Sequence, residues 1–333
     1  MNLTDRKIVV VGGAGFIGSH VVDQLCAEPV REVVIVDNFV RGTRANVAES
    51  LADPRVKLIE GSITSPALLD AVFEGADGVV HLAALWLYEC VHEPRSAVDV
   101  NVVGTYNVVE AAARARVGKV VYSSSASVYG DAVFTPMTEE HPFNNRTMYG
   151  ATKIAGEQFL RSFYEQRRLD YLALRYMNVY GPRMDYHGTY VSVIMKVLDR
   201  LDQGLAPIVF GDGSQAYDFV HVDDVARANV LALKSDAADE CINVGMGIKT
   251  TINQLVTKLL ALAGSSLVPE YRPDTQMFVT HRVGDTGKAA RLLGFEARVP
   301  LDEGLRSVVE WRRRDRGVDR TVPPPAGVAG IEP

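Results

Sequence analysis

The chain has 333 residues, 47% of them hydrophobic, enough to bury the core of one large or two intimately joined domains, so a soluble globular protein is the default. Its formal net charge of -6 comes without a basic stripe, which excludes nucleic acid and anionic membrane surfaces as expected partners. Cys26, Cys90 and Cys241 stand far apart in no metal-ligand spacing, no apolar run is long enough to span a bilayer, and the N-terminus leads straight into a strand; a cytoplasmic protein without a bound metal is expected.

A β-branched run, Ile8-Val9-Val10-Val11, suits a parallel strand buried on both faces. It enters Gly12-Gly13-Ala14-Gly15-Phe16-Ile17-Gly18, where three glycines each remove an obstructing side chain. Gly12 permits a tight turn, Gly15 lets backbone approach a pyrophosphate, and Gly18 brings helix close to strand. The helix beginning at Phe16 and Ile17 points its first amides at the phosphates. A second strand, Val33 to Val36, ends in Asp37, about 20 residues past the glycines, as a dinucleotide site requires. Its carboxylate accepts hydrogen bonds from a ribose diol and repels a 2′-phosphate, favouring NAD over NADP; Arg41 is the nearby residue that could accommodate the extra phosphate.

Strands and helices then alternate: a helix from Arg44 to Leu51, a strand Val56 to Glu60, a helix Pro66 to Phe73, a strand Gly78 to Leu82, a long helix Pro94 to Ala115, a strand Lys119 to Ser123, a helix Tyr149 to Arg167 and a strand Tyr171 to Tyr176. This alternation predicts an α/β fold, a Rossmann-type doubly wound parallel sheet whose ligands bind at the carboxyl ends of the strands. Residues 1–182 form the dinucleotide domain. Residues 183–316, with a helix Val191 to Leu201 and a strand Ile208 to Phe210, read mainly as a smaller mixed substrate lobe interleaved with the first, and 317–333 as a disordered tail.

Tyr149-Gly150-Ala151-Thr152-Lys153 places a phenol and an ammonium one helical turn apart on one face. A phenol with an ordinary pKa near 10 is no base at neutral pH, and a neighbouring ammonium together with a positive nicotinamide would lower it. Ser123-Ser124-Ser125 closes a strand with hydroxyls facing the crevice, and Ser125 is the candidate partner of the oxygen being oxidised.

With these pieces, together with Asp37-Asn38-Phe39, His81 to Ala84, Asn101 to Thr105, Arg175 to Arg183 and Gly211 to Asp224, the chain to about Trp311 resembles an extended short-chain dehydrogenase/reductase of the nucleotide-sugar epimerase/dehydratase family. The resemblance implies that Tyr149 is the base, Lys153 its electrostatic partner and ribose ligand, and Ser125 the hydroxyl partner of the sugar. It adds Asn38, Gly42, Ser62, Ile63, Leu82, Ala83, Ala84, Asn101, Ser123 and Tyr176 to the NAD wall. Ser127 and Asn178 would meet the substrate, with Tyr190, Val191 and Phe210 along the nucleobase. Two departures stand out. Tyr217 occupies the place of a diphosphate-binding arginine, leaving Arg282 or Arg183 to supply the charge, and Ser62 stands where an adenine-binding aspartate is common. Similar dehydratases carry Asp-Glu after the position of Ser125, whereas here Ala126-Ser127 can move no proton. The expected activity is therefore NAD-dependent 4-epimerisation of a nucleotide sugar, a UDP-hexose or UDP-hexuronate, with a nucleotide-sugar dehydrogenase or reductase, or a non-catalytic dinucleotide sensor, as the alternatives. A homodimer is expected through the long helices after Pro94 and from Tyr149.

Overall fold

The computed structural model describes residues 1–185, 192–273 and 281–318. Among them the elements run β1 (Lys7–Val11), α1 (Phe16–Cys26), β2 (Glu32–Asp37), β3 (Val56–Glu60), α2 (Pro66–Phe73), β4 (Gly78–His81), α3 (Leu87–His92), α4 (Pro94–Ala97), α5 (Thr105–Arg114), β5 (Lys119–Ser125), α6 (Met148–Arg167), β6 (Tyr171–Tyr176) and β7 (Asn178–Tyr180). There follow α7 (Val193–Asp202), β8 (Ile208–Phe210), β9 (Ala216–His221), α8 (Val222–Lys234), β10 (Glu240–Val244), β11 (Lys249–Thr251), α9 (Ile252–Ala263), β12 (Glu270–Arg272), β13 (His281–Arg282), α10 (Gly287–Leu293) and α11 (Leu301–Val318).

A seven-stranded parallel sheet has the order β10-β6-β5-β4-β1-β2-β3. The β-branched strands explain it. Alternate residues feed two cores: Ile8, Val10, Val33 and Ile35 join Val21, Val22 and Leu25 of α1, while Val9, Val11, Val34 and Val36 join Leu69, Val72 and Phe73 of α2 and Val108 of α5. Each such side chain contributes about 1.5–3 kcal/mol of burial, so neither face of the sheet tolerates polar substitution. Strand order reverses at β1, with β2 on one side and β4 on the other, and the glycine turn leaves the sheet at that switch point.

The boundary near residue 182 is not clean. β10 returns to complete the large sheet beside β6, α8 packs on α1, and β7 belongs to a smaller sheet, pairing with β9, which also pairs with β11 and β13. A two-stranded β8-β12 ribbon completes the lobe.

Two expected helices and the expected start of the tail differ. In place of Arg44 to Leu51 there are two short 3-10 turns, Ala45–Val47 and Ser50–Ala52. The Thr43 amide and the Asn46 side chain both donate to the Ala14 carbonyl, so this segment braces the glycine turn instead of coiling continuously. The helix expected from Pro94 to Ala115 is split by a π-helical stretch, Val98–Gly104, in which Asn101 turns inward. α11 reaches Val318, past the expected start of the tail, whose remaining residues lie outside the described ones.

Candidate active site

The glycine turn is a cradle without room for side chains. Gly12 has φ +81°, and a Cβ there would lie 2.6 Å from the Ala83 nitrogen; a Cβ on Gly18 would lie 2.2 Å from the Gly12 carbonyl oxygen. The amides of Leu82 and Ala83 donate to the Val11 carbonyl, drawing the end of β4 onto the end of β1, with Ala84 next in that loop. Gly15 caps α1 with no side-chain partner, so the first amides of α1, at Phe16 and Ile17, face the turn without a protein cap. Asp37 is buried at the end of β2, and its carboxylate accepts the Ala14 amide at 2.9 Å and the Phe39 amide at 2.8 Å. Burial raises its pKa above the usual carboxylate value, while these amides pull it back. Gly42 lies against it: a Cβ would be 2.8 Å from both carboxylate oxygens. Asn38 turns the chain here through an Oδ1 bond from the Val40 amide. This cradle and acid fit a dinucleotide.

Further along the wall, the Ser62 hydroxyl is engaged with Thr64, and the Ile63 side chain is buried against Gly104. Asn101 is wholly internal. Its amide nitrogen donates to the Leu85 carbonyl at 2.8 Å and to Thr152 Oγ1 at 3.2 Å, and its oxygen accepts the Leu85 amide at 2.7 Å. It thus ties the loop after β4 to α6. The Ser123 and Tyr176 hydroxyls are spent on one another at 3.0 Å, with Tyr176 passing its proton to Asn229. Their hydroxyls are thus joined across the neighbouring strands β5 and β6, beside the Ser123 carbonyl.

That carbonyl receives Lys153 Nζ at 2.7 Å, and the same ammonium stands 5.6 Å from the centre of the Tyr149 ring. α6 reaches this position because it is notched. A Cβ on Gly150 would lie 2.4 Å from the Ser127 carbonyl oxygen and one on Gly156 2.3 Å from the Tyr122 hydroxyl, so only glycines let the helix rest on β5 and the turn after it. Thr147 caps α6 by accepting the Gly150 amide. Ser125 Oγ accepts the Ser127 amide at 3.1 Å, which holds it at the head of a 3-10 turn beside Tyr149. Burial pushes the Tyr149 phenol up to about 12, opposed by the Ser125 hydroxyl and by the charges of Arg41 and Arg282. Burial pushes the Lys153 ammonium down to about 8. At neutral pH these shifts leave the phenol protonated and the ammonium charged.

Glu157 and Arg175 behind Lys153 escaped sequence analysis. They form a buried ion pair at 2.8 Å, with Ser124 Oγ donating to Glu157 and Tyr129 in contact with Arg175. The signal was present: Tyr149, Lys153 and Glu157 recur every four residues along one helix face. Cys90 is buried, and its sulfur accepts from Asn101.

On the substrate side, Asn178 is half-buried, and its amide makes no hydrogen bond among the described residues. Ser127 is half-buried, whereas Ala126 is packed in the core. Tyr217 and Arg282 are register partners on the parallel strands β9 and β13, so the arginine stands next to the tyrosine that replaces one. Arg282 reaches the Gly130 carbonyl at 3.4 Å. Arg183 forms an ion pair with Asp23 at 2.6 Å. Phe210, 41% exposed at the end of β8, is not core. Tyr190 and Val191 lie outside the described residues.

Residues 8–245 match the model of the NAD dependent epimerase/dehydratase family. The chain belongs to that family. It is 34% identical over 314 residues to a putative UDP-glucose 4-epimerase of Methanocaldococcus jannaschii, covering 92% of this chain and 99% of that one. A UDP-N-acetylglucosamine 4-epimerase from Methanobrevibacter ruminantium, solved with UDP-N-acetylmuramic acid, superposes with a TM-score of 0.89 at 33% identity, covering 94% of this chain and 99% of the other. A dTDP-glucose 4,6-dehydratase from Streptomyces venezuelae, solved with NAD bound, gives 0.87 at 32% identity, covering 94% and 98%. This family member is an NAD-dependent enzyme, and the cradle of Gly12, Gly15, Gly18 and Asp37 has the shape and donors that fit a dinucleotide.

Proposed function

We propose that this chain is an NAD-dependent nucleotide-sugar 4-epimerase acting on a UDP-hexose or UDP-hexuronate. The observation that carries the reading is the pair after Ser125: Ala126 is apolar and buried, and Ser127 is a neutral alcohol, so the acid and base needed to eliminate across C5 and C6 are missing there. The Tyr149, Lys153 and Ser125 set that removes and returns a hydroxyl proton is complete. Relatives named as 4-epimerases add weight to this choice.

NAD, when bound, supplies a hydride acceptor that gives back what it takes. The protein supplies the rest. Tyr149 Oη takes the 4-hydroxyl proton while the Ser125 hydroxyl holds the sugar oxygen. Lys153, fixed by the Ser123 carbonyl, keeps positive charge beside the phenolate. Tyr149 then returns the proton after the 4-keto sugar has presented its other face. Asn178, Tyr217 and Arg282 bind the substrate diphosphate, Ser127 meets the C6 end, and Phe210 lies along the base. The enzyme works in the cytoplasm, as a homodimer, in carbohydrate biosynthesis.

Turnover of candidate UDP-sugars in deuterated water, followed by NMR, tests the reaction type. Hydride removal and return exchanges no carbon-bound hydrogen, so C4-inverted product without ring deuterium is expected. Deuterium at C5 or C6, or a 4-keto-6-deoxy product, would overturn the reading.

A further inference from the structure

Arg41 does not turn toward Asp37. Its guanidinium lies 3.9 Å from the centre of the Trp86 ring, and its Nη2 pairs with Asp185 at 3.1 Å. These three residues come from three places around the glycine turn. Arg41 follows β2, Trp86 follows β4, and Asp185 follows β7 in the smaller lobe. β2 and β4 flank β1, so their ends are about 10 Å apart with the turn between them. The Arg41–Trp86 contact therefore bridges the switch point where a dinucleotide pyrophosphate sits. Both ends of the bridge are anchored. Gly42 fits against the Asp37 carboxylate and Thr43 donates to the Ala14 carbonyl, which fixes Arg41 beside the turn; Leu85 is pinned by Asn101, which fixes Trp86.

We infer that Arg41 and Trp86 act as one unit, a strap over the NAD pyrophosphate that slows release of the cofactor. Apart from Asp185, the guanidinium has no hydrogen-bond acceptor among the described residues, so its remaining N–H groups are available to phosphate oxygens. The indole face keeps the guanidinium planar to the opening and shields that contact from water. An enzyme that returns the hydride to the same sugar gains from holding its cofactor between the two transfers. Arg41 is on this account a positioning residue for the pyrophosphate and not a reader of the 2′-phosphate.

The test is NADH release from the full-length protein, followed by the loss of cofactor fluorescence on dilution into excess ADP-ribose, with no sugar present. Arg41→Ala and Trp86→Ala should each release NADH about tenfold faster or more, Trp86→Phe should stay near the native rate because it keeps an aromatic face, and the double alanine variant should be no faster than the faster single one. Arg41 is exposed, so Arg41→Gln serves as a second variant that leaves folding intact and should release as fast as Arg41→Ala. Release within twofold of native in both Arg41 variants would overturn the strap. So would an Arg41→Ala protein that loses NADPH but holds NADH as before, since the guanidinium would then be reading the 2′-phosphate. Because no sugar is used, failure here leaves the epimerase reading standing, and failure of that reading leaves this result intact.

Discussion

At neutral pH a buried phenol driven to about 12 is protonated, and the Lys153 ammonium, driven to about 8, is charged. Tyr149 can act as a base only once the charge of a bound nicotinamide adds to that of Lys153, so chemistry waits for the cofactor. Tyr149→Phe should lower turnover by about 10²- to 10⁴-fold while NAD content, measured on the released nucleotide, stays native. For Lys153 the linkage has a definite sign. Its folded pKa lies below the ordinary 10.5, so the buried charge costs stability below about 8, and that cost disappears as pH rises toward the unfolded value. Urea unfolding of the NAD-free protein from pH 7 to 10 should therefore show the native chain gaining on Lys153→Met as pH rises; a difference that is flat or moves the other way removes the buried-charge account. Asp37 presents a carboxylate where a 2′-phosphate would come, and with Arg41 drawn to Asp185 and Trp86 that repulsion goes unanswered. Titration should give NAD an advantage of at least about tenfold over NADP, or about 1.4 kcal/mol, and Asp37→Asn should narrow it.

The strands and glycine turn were legible because the physics that sets them is local: β-branched runs bury on both faces, and a turn with φ +81° and no Cβ space admits only glycine. The bounds of β3, α2, β6 and β8 follow from such patterns alone. What stayed hidden depends on contacts between distant segments. The π-helical Val98–Gly104 exists because Asn101 must reach Leu85 and Thr152, and nothing in its own periodicity announces that. Likewise the bond between the Ser123 and Tyr176 hydroxyls joins two strand ends 53 residues apart in sequence, which only the pairing of β5 with β6 brings together. The replacement of an arginine by Tyr217 was visible, with Arg282 and Arg183 as candidates for its charge, but not that β13 pairs with β9 and sets Arg282 beside Tyr217. A lone tyrosine offers the diphosphate one neutral hydrogen bond, whereas Arg282 offers charge. Isothermal titration should show Tyr217→Phe weakening nucleotide-sugar binding by about 0.5–1.5 kcal/mol and Arg282→Gln weakening it more. Native affinity in both variants would mean that the diphosphate is held by other residues.

For the molecule as a whole, the two sheets are joined by chain that crosses between them more than once, with β10 returning to the large sheet and His20 of α1 bonded to Asp223 of α8 at 2.7 Å. The site is thus set on a single interlocked body, and the helices on its far face are left to meet something else. The π-helical stretch Val98–Gly104, α5 and α6 carry apolar side chains outward: Val103 is 48% exposed and Tyr106 39%, and the Tyr106 ring of α5 packs edge-on against Phe159 and Phe163 of α6. An aromatic ridge spanning two packed helices suits a twofold mate presenting the same ridge, since a symmetric contact buries it twice for one surface. The stretch that turns Asn101 inward is the one that turns Val103 outward, so a dimer contact on this ridge would lie behind the loop that holds Trp86. Sedimentation should give the native protein twice the chain mass, and a Val103→Glu, Tyr106→Glu double variant should sediment as a monomer with native circular dichroism. In that monomer the NAD wall loses its outer support, and NADH should leave faster than from the native dimer even though every residue that touches the cofactor is unchanged. A native chain that sediments as a monomer, or a double variant that remains dimeric, would place the contact elsewhere and assign the exposed ridge to a different partner.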